Sequence, residues 1–121
     1  MSYDSSNVFA KILRGEIPCK KVYEDDFALA FNDINPQAPT HVLVIPKGPY
    51  TTYDDFVSSA DDAEIAGFHR AVLHVITAAE IAAGGYRLIS NSGVEAHQEV
   101  QHYHVHVLGG RDLGAMLNAP E

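Results

Sequence analysis

The hydrophobic positions of the chain recur with a helical period in two segments. In segment 5–18, "SSNVFAKILRGEIP", apolar residues three and four apart predict a short helix that a serine caps and Gly15 stops. The longest helical pattern covers Ser59–Ala83, where a serine is again expected to cap the helix and Gly84-Gly85 to end it. The pattern therefore predicts two helices, one short and one long.

Five further segments have the composition or the alternation of β-strands. The third of them is almost continuously apolar, which predicts burial on both faces. A helix, three strands, a long helix and two strands, in this order, predict an α+β fold with a largely antiparallel sheet. The predicted strands are 21–26, 27–33, 40–47, 86–91 and 100–108, with a turn at 34–39 and a loop at 92–99.

The size and charge of the chain narrow the classes of function. Its 121 residues, 46% of them apolar, fit one domain, so we expect a single domain over 1–121. The formal charge of −8 repels a phosphate backbone, and no nucleic-acid partner is expected. A small anionic ligand remains compatible, because imidazoles and local dipoles bind a single phosphate whatever the total charge.

The cysteine content and the hydropathy of the chain predict a cytoplasmic location. Cys19 is the only cysteine, which excludes an internal disulfide and a metal site made of cysteines alone. The first residues, "MSYDSSNVF", do not resemble a signal peptide. No apolar run approaches the roughly 20 residues of a membrane span, so no membrane partner is expected.

The segment 100–111, "VQHYHVHVLGGR", carries three histidines at alternate positions. In a strand, side chains two residues apart share one face, so the three imidazoles are expected to project together and their neighbours to face the core. Adjacent imidazoles repel each other when charged and need hydrogen-bond partners when buried, so the row indicates chemistry. The histidines are His102, His104 and His106, and the core-facing residues are Tyr103, Val105 and Val107.

Two kinds of chemistry fit this row. Histidines can hold zinc, but the outer pair would lie roughly 13 Å apart at Cα, so a zinc site would take a further ligand such as His41 or Glu99. Alternatively, a neutral imidazole attacks phosphorus and forms a phosphohistidine, while its neighbours fix its tautomer and bind the phosphoryl oxygens. A strand whose polar face simply uses histidine is a third explanation.

Two blocks of the sequence resemble a known family. The run "HYHVHVL", 102–108, resembles the signature of the histidine triad family of nucleotide hydrolases and transferases. Ile12–Lys47 looks like the N-terminal half of the Hint-type branch, and "HVLGGR", His106–Arg111, like the end of its triad. The resemblance covers about 8–111 and leaves a C-terminal tail, 112–121. It implies a five-stranded antiparallel sheet with two helices, in a homodimer that joins two sheets and uses the long helix as a principal contact.

The resemblance also implies the roles of the histidines. His104 would be the nucleophile that carries the nucleotidyl group. His102 would support it through a hydrogen bond, and His106 would contact the phosphate or the leaving group. His41 would extend the imidazole network from a neighbouring strand, although a core histidine explains it equally well. The implied reaction is hydrolysis of a purine nucleoside 5′-phosphoramidate to a nucleoside monophosphate and an amine, with no metal or cofactor.

The same resemblance implies how the substrate is held. Asp33 would accept hydrogen bonds from both ribose hydroxyls, as a carboxylate can. Asn91 would lie on the phosphate side, and Gln98 and Glu99 near the leaving group. The apolar positions that would hold the purine are Phe9, Ile17, Phe31 and Ile34.

The sequence departs from the Hint-type pattern at four places. His97 stands where glycine is common, and Glu99 where a small hydroxyl residue is common. The tail lacks the tryptophan-containing ending of animal members, and "NVFAK" replaces a Cys-x-x-Cys pair, so no structural zinc is expected.

The alternatives to the phosphoramidate hydrolase are a dinucleoside polyphosphate hydrolase, a nucleotidyl transferase, a nucleotide-binding regulatory protein and a zinc-binding protein.

Overall fold

A computed structural model describes residues 2–117, so the predicted tail is described only as far as Leu117. These described residues form three α-helices and five strands. None of the described helices is long and apolar enough to cross a membrane. In chain order the elements are α1 (Val8–Leu13), β1 (Lys21–Glu24), β2 (Ala28–Asn32), β3 (Thr40–Pro46), α2 (Tyr53–Ser59), α3 (Asp62–Ala78), β4 (Tyr86–Ile89), a 3₁₀ turn (Val94–Ala96) and β5 (Val105–Gly109).

The five strands form one antiparallel sheet in the order β1-β2-β3-β5-β4. This confirms the predicted α+β fold with an antiparallel sheet. The last strand, β5, lies between β3 and β4, and its register with β3 runs from Val44 opposite Val105 to Thr40 opposite Gly109. Because β3 is covered on both sides of the sheet, six of its seven residues are buried, as its apolar run predicts.

The two faces of the sheet carry different cores. On one face α2 and α3 cover a large apolar cluster, which includes the predicted core residues Tyr103, Val105 and Val107. On the other face the short helix α1 covers a smaller cluster made of Phe9, Leu29, Phe31, Leu43 and Ile45. The side chain of His106 lies opposite Leu43 in the register, so the histidines share the face covered by α1.

The long helix predicted over 59–83 is present as α3, Asp62–Ala78, but its predicted start is wrong. Helix α2, Tyr53–Ser59, precedes it and was not predicted, so residues 2–117 form three helices and not the expected two. Helix α2 ends at Ser59, and Ala60 is extended with φ −76° and ψ 152°. Asp61, rather than a serine, caps α3: its carboxylate accepts from the main-chain N–H of Glu64, whose side chain accepts from the N–H of Asp61. This capping box supplies two acceptors to the first turn of α3, which favours a new start over a continuous helix.

Helix α3 also ends earlier than predicted, at Ala78 rather than Ala83. Glu80 takes a left-handed conformation with φ +57°, and the N–H of Ile81 donates to the carbonyl of Ile76 at 3.4 Å. This arrangement closes the helix end in the manner of a Schellman motif. The buried side chain of Ile81 joins the large core cluster, so packing fixes the end ahead of the two glycines.

The short helix α1 forms where it is predicted, but Asn7 caps it instead of a serine. The side-chain oxygen of Asn7 accepts from the main-chain N–H of Ala10 at 2.9 Å. After Arg14 the chain turns at Gly15, whose φ of +79° is readily adopted by glycine, as the predicted stop requires. The cap and the turn together hold Phe9 against the sheet.

Strand β5 starts at Val105, five residues later than predicted, so only His106 of the three histidines lies in the strand. Continuation of the ladder would place Tyr103 opposite Pro46, which has no N–H to donate. The N–H of Tyr103 donates instead to the carbonyl of Tyr50 at 2.7 Å. The chain therefore leaves the sheet before Val105, and His102 and His104 approach the site from outside the ladder.

Candidate active site

Two adjoining cavities lie on the face of the sheet that α1 covers. The first, the reaction cavity, has a volume of about 310 Å³. The second, the apolar cavity, has a volume of about 280 Å³. The reaction cavity is lined by Phe9, Asp33, Leu43, Asn91, Ala96, His97, Glu99, Val100, His104 and His106, of which five also line the apolar cavity: Phe9, Asp33, Leu43, Glu99 and Val100.

His104 presents a bare ring nitrogen to the reaction cavity. Its Nδ1 lies 2.7 Å from the main-chain oxygen of His102, which only accepts, so Nδ1 carries the proton and Nε2 the lone pair. Nε2 has no hydrogen-bond partner among residues 2–117, and no buried side-chain nitrogen in that range is unpaired, so this atom is accessible. The edge of the Phe9 ring, 5.0 Å away between centroids, holds the imidazole plane.

His102 is fully buried and uses both ring nitrogens within the protein. Its Nε2–H donates to the carbonyl of Pro46 at 2.8 Å, the group that the interrupted β-ladder leaves without a strand partner. Its Nδ1 therefore accepts, and the donor is the phenol of Tyr3 at 2.5 Å. Tyr3 in turn accepts from the side-chain amide of Asn7 at 2.9 Å. His102 is thus a fixed structural ring that presents its main-chain oxygen to His104.

His41 and His106 form a directed pair across β3 and β5. The main-chain N–H of Gln37 donates to Nδ1 of His41 at 3.0 Å, so the proton of His41 lies on Nε2. That Nε2–H donates to Nδ1 of His106 at 2.9 Å. His106 therefore keeps its own proton on Nε2. It offers this Nε2–H as a donor to the reaction cavity, beside the bare nitrogen of His104. The ring centroids of His104 and His106 lie 5.2 Å apart.

Burial keeps the triad histidines neutral near pH 7. Burial lowers the pKa of His102 to about 4, against the opposing effect of its bond to Pro46. Burial, together with the neighbouring His104 and His41, lowers the pKa of His106 to about 4. The pKa of His104 is also lowered, again mainly by burial. An imidazole can attack only in its neutral form, so the site keeps His104 reactive across the physiological range.

Asp33 stands where the two cavities meet. It follows β2, and its main-chain N–H donates to the carbonyl of His41 at 3.0 Å, which extends the pairing of β2 with β3. One carboxylate oxygen accepts from the N–H of Asn35 at 2.8 Å. The other lies 3.4 Å from Nε2 of His41 and keeps free lone pairs. The carboxylate thus has acceptor capacity left for a ligand at the junction of the cavities.

The structure brings the four predicted apolar residues together in the apolar cavity. Phe9 and Phe31 are buried and meet edge to face, with centroids 5.5 Å apart, while Ile17 is half-buried. Ile34 is fully exposed at the rim. An aliphatic side chain at the mouth of an apolar slot gains contacts when a flat apolar ligand enters, and Ile34 is placed for that role.

The polar residues predicted near the phosphate and the leaving group separate into two sets. Asn91 and Glu99 line the reaction cavity, as does His97, which has a left-handed φ of +57°. Gln98 does not line it. Its buried amide accepts from the N–H of Gly93 at 2.9 Å and donates to the carbonyls of Thr51 and Val100, so its polar atoms tie the loop to its neighbours.

The sequence did not identify two residues that support the triad, one by a direct contact and one through the first. Tyr3 donates to His102, and Asn7 holds Tyr3. Neither residue stands out in the polar segment that precedes α1, and no spacing rule links position 3 to position 102.

The fold and the imidazole arrangement define an enzyme site of the histidine triad type. The chain belongs to the HIT domain family, whose family model matches residues 14–113. It is 62% identical over 116 residues to an uncharacterized HIT-like protein of Azospirillum brasilense, covering 96% of this chain and 95% of that protein. It is 49% identical over 111 residues to purine nucleoside phosphoramidase of Escherichia coli, covering 91% and 92%.

Solved structures agree with the family assignment. A histidine triad protein of Clostridium difficile superposes with a TM-score of 0.81 at 39% identity, covering 94% of this chain and 98% of that one. A HIT family hydrolase of Legionella pneumophila gives 0.80 at 44% identity, covering 87% and 93%. These matches confirm the expected family and fold and support a hydrolase of the histidine triad type.

Zinc appears in the name of one relative, a 14 kDa zinc-binding protein of maize that is 44% identical over 91% of this chain and 86% of its own length. In this chain Asp33, His41 and His106 place one ligand atom each within 4.8 Å of one another. A metal at that point requires a bare Nε2 on His41. The bond from Gln37 to Nδ1 puts the proton on Nε2, so this cluster as arranged does not fit a resident metal.

Proposed function

We propose that this protein hydrolyses purine nucleoside 5′-phosphoramidates to a nucleoside monophosphate and an amine through a nucleotidyl group on His104. The observation that carries the proposal is the accessible, unprotonated Nε2 of His104 beside the Nε2–H donor of His106. The name of the relative from Escherichia coli, purine nucleoside phosphoramidase, supports the same reaction class.

In the first half of the reaction, Nε2 of His104 attacks the α-phosphorus and the P–N bond breaks. The departing nitrogen takes up one proton from the solvent and leaves as the amine, and the second half returns a proton to the solvent. His104 gains positive charge as its bond to phosphorus forms, and the carbonyl of His102, 2.7 Å from Nδ1, stabilises that charge. Nε2–H of His106 donates to a phosphoryl oxygen and offsets the negative charge that develops there.

In the second half, water attacks the phosphorus from the side that the amine has left. The P–N bond to His104 breaks, the nucleoside monophosphate departs and the water gives up one proton, so the two halves balance. The lowered pKa of His104 favours this step, because a nitrogen that binds protons weakly is a better leaving group.

The substrate is proposed to lie across both cavities. The purine occupies the apolar cavity between Phe9, Phe31 and Ile34, and the ribose hydroxyls donate to the carboxylate of Asp33 at the junction. This order places the 5′-phosphorus in the reaction cavity near His104. Asn91 is proposed to donate its amide to the phosphate, and Glu99 at the rim to face the leaving group.

We further propose a homodimer in which two sheets join through β4. Among residues 2–117, β4 pairs only with β5, and its Tyr86 and Leu88 are about half exposed. On α3, the helix expected at the dimer contact, Leu73 is 60% exposed. Light scattering after size exclusion is expected to give the mass of a dimer for the wild type and of a monomer for Leu88→Lys. A monomeric wild type would refute this part.

The test is hydrolysis of adenosine 5′-phosphoramidate in the presence of a chelator, by the wild type, His104→Ala and His69→Ala. His69 lies exposed on α3 and serves as a matched control for loss of an imidazole. We expect chelator-resistant activity in the wild type and His69→Ala, loss by a factor of about 10⁴ or more in His104→Ala, and an adenylylated wild-type protein in rapid-quench mass spectra. A wild type that binds adenosine monophosphate but does not hydrolyse this substrate would refute the phosphoramidase proposal.

A further inference from the structure

We propose that Tyr3 is a positioning residue of the triad, because its phenol fixes the His102 ring on which His104 depends. The proposal rests on the proposed function for its kinetic part. Tyr3 lies 99 positions before His102, and its oxygen lies 2.5 Å from Nδ1 of that ring. The two rings meet edge to face, with centroids 5.6 Å apart. Tyr3 lines neither cavity, so any effect it has on the reaction passes through His102.

Hydrogen bonds hold the segment before α1 in the position that brings Tyr3 to His102. The side-chain amide of Asn7 donates to the Tyr3 oxygen and to the carbonyl of Asp4, each at 2.9 Å. The guanidinium of Arg14 donates to the carbonyl of Ser5 at 2.9 Å. Nδ1 of His102 carries a lone pair, because Nε2–H of that ring donates to Pro46, so the proton of Tyr3 is directed at Nδ1. The phenol thus donates to His102 while its oxygen accepts from Asn7.

With Tyr3 as a donor, the donor and the acceptor of each hydrogen bond around His102 are defined. Tyr3 donates to Nδ1 of His102, and Nε2–H of the same ring donates to the carbonyl of Pro46. The two hydrogen bonds fix both the orientation and the tautomer of the ring. His102 also supplies the main-chain oxygen that holds Nδ1–H of His104. Displacement of that oxygen tilts the nucleophile away from in-line attack, which lowers the rate of reaction more than the affinity for substrate.

Tyr3→Phe removes one oxygen atom and leaves Nδ1 of a fully buried ring without its donor. We expect kcat to fall about tenfold, as for the loss of one hydrogen bond that orients a catalytic group, with KM within about twofold of the wild type. In nitrogen NMR of the histidine side chains, the Nδ1 resonance of His102 should move toward that of an unbonded ring nitrogen. That signal does not depend on whether the substrate is correct.

Asn7→Asp provides a second variant that keeps the phenol. An aspartate caps a helix as well as an asparagine, so the bond to the N–H of Ala10 and the position of α1 are retained. Its carboxylate replaces the amide that donates to Tyr3 and attracts the phenol proton away from His102. We expect the same fall in kcat and the same change at His102 Nδ1 as in Tyr3→Phe.

A control variant separates positioning from general damage. Tyr53→Phe makes the same chemical change, loss of a phenol hydroxyl, at an exposed tyrosine of α2 that lines neither cavity. It should stay within about twofold of wild-type kcat and leave the nitrogen resonances of His102 unchanged.

The outcomes distinguish the proposals. If Tyr3→Phe and Asn7→Asp keep the wild-type nitrogen resonances of His102, or change them while leaving kcat unaltered, Tyr3 is not a positioning residue. If the wild type itself does not hydrolyse adenosine 5′-phosphoramidate, the proposed function fails. The nitrogen resonances then decide alone whether Tyr3 holds the ring of His102.

Discussion

Nε2 of His41 lies 2.9 Å from Nδ1 of His106, although the two residues are 65 positions apart. The contact is diagonal across β3 and β5, because His106 pairs directly with Leu43 in the register and His41 is two residues away on the same face. The N–H of Gln37 sets the direction of the contact from the far side of the His41 ring. A main-chain donor in a turn thus decides which nitrogen of His106 carries a proton into the reaction cavity.

This relationship predicts different effects for two substitutions of His41. Glutamine can place an amide donor near the position of Nε2, whereas asparagine reaches only the position of Nδ1. We expect His41→Asn to lower kcat about tenfold, because His106 loses the donor that fixes its tautomer. His41→Gln should lose less. Steady-state kinetics with adenosine 5′-phosphoramidate provide the measurement, and equal losses in the two variants would contradict the role given to Nε2.

The buried imidazoles predict that stability falls with pH on the acid side. The folded-state pKa values of His102 and His106 are about 4, below their ordinary value of 6.5, so the unfolded chain binds more protons between these values. The contribution of these two groups to the free energy of unfolding is therefore complete above pH 6.5 and decreases as the pH falls from 6.5 to 4. Below pH 4 it does not change further. Between these two pH values, each histidine changes the free energy of unfolding by up to about 1.4 kcal/mol per pH unit.

Urea unfolding at several pH values measures this slope, and His102→Gln is the variant that should reduce it. His69→Gln, which changes an exposed imidazole of α3, serves as the control. A free energy of unfolding that is flat between pH 6.5 and 4 would show that these rings are not held neutral.

The same lowered pKa values predict the acid limb of the reaction. His104 must be unprotonated to attack, and its pKa lies below the ordinary 6.5. We therefore expect kcat to remain level as pH falls through 6.5 and to decline only at lower pH, with a limb that belongs to the coupled imidazoles together. A midpoint at or above 6.5 in the pH–rate profile would conflict with a buried neutral triad.

The place of Asp33 between the cavities predicts selectivity for ribose. Asp33→Asn keeps the size of the side chain but removes the charge that favours two hydroxyl donors. We expect kcat/KM for adenosine 5′-phosphoramidate to fall about 10-fold to 100-fold, and the value for the 2′,3′-dideoxy analogue to change little. Equal losses with both substrates would indicate that Asp33 acts on the histidines rather than on the ribose. Its carboxylate oxygen lies 3.4 Å from Nε2 of His41.

Two glycines provide a matched test of the end of β5. Gly110 has a φ of +94°, and an added Cβ would lie 2.9 Å from Cβ of Pro39. Gly110→Ala should therefore lower the free energy of unfolding by about 1–3 kcal/mol. Gly84 meets nothing within 4 Å, so Gly84→Ala should stay within about 0.5 kcal/mol of the wild type. Urea unfolding of both variants decides, and equal stabilities would show that the turn adapts.

The parts of the fold that follow from local pattern could be predicted from the sequence. Alternation identified the strands, and the opposite orientation of Tyr103 and His104 holds, although both precede β5. The resemblance to the histidine triad family placed His41 in the imidazole network, and the structure brings it to His106. The strands and the orientation of these side chains follow from short, regular spacings, whereas the place of His41 follows from the resemblance to the family.

The parts that depend on distant partners could not be predicted. The carbonyl of Pro46 and the phenol of Tyr3 hold His102, and neither residue is linked to position 102 by any spacing. The division of α2 from α3 depends on whether Asp61 caps or continues a helix, and both choices suit its local sequence. The end of α3 is set by the burial of Ile81 in the core, which no local pattern displays.

The strand order has a consequence for how the molecule assembles. Because β5 lies between β3 and β4, residues 86–89 have no sheet to join until 105–109 have been inserted beside β3. The closing of the sheet therefore waits for contacts of long sequence separation, which slows folding. The same event brings His106 to His41, and the partner of Tyr3 lies just before that strand. A growing chain therefore holds no working site until its C-terminal strand has left the ribosome.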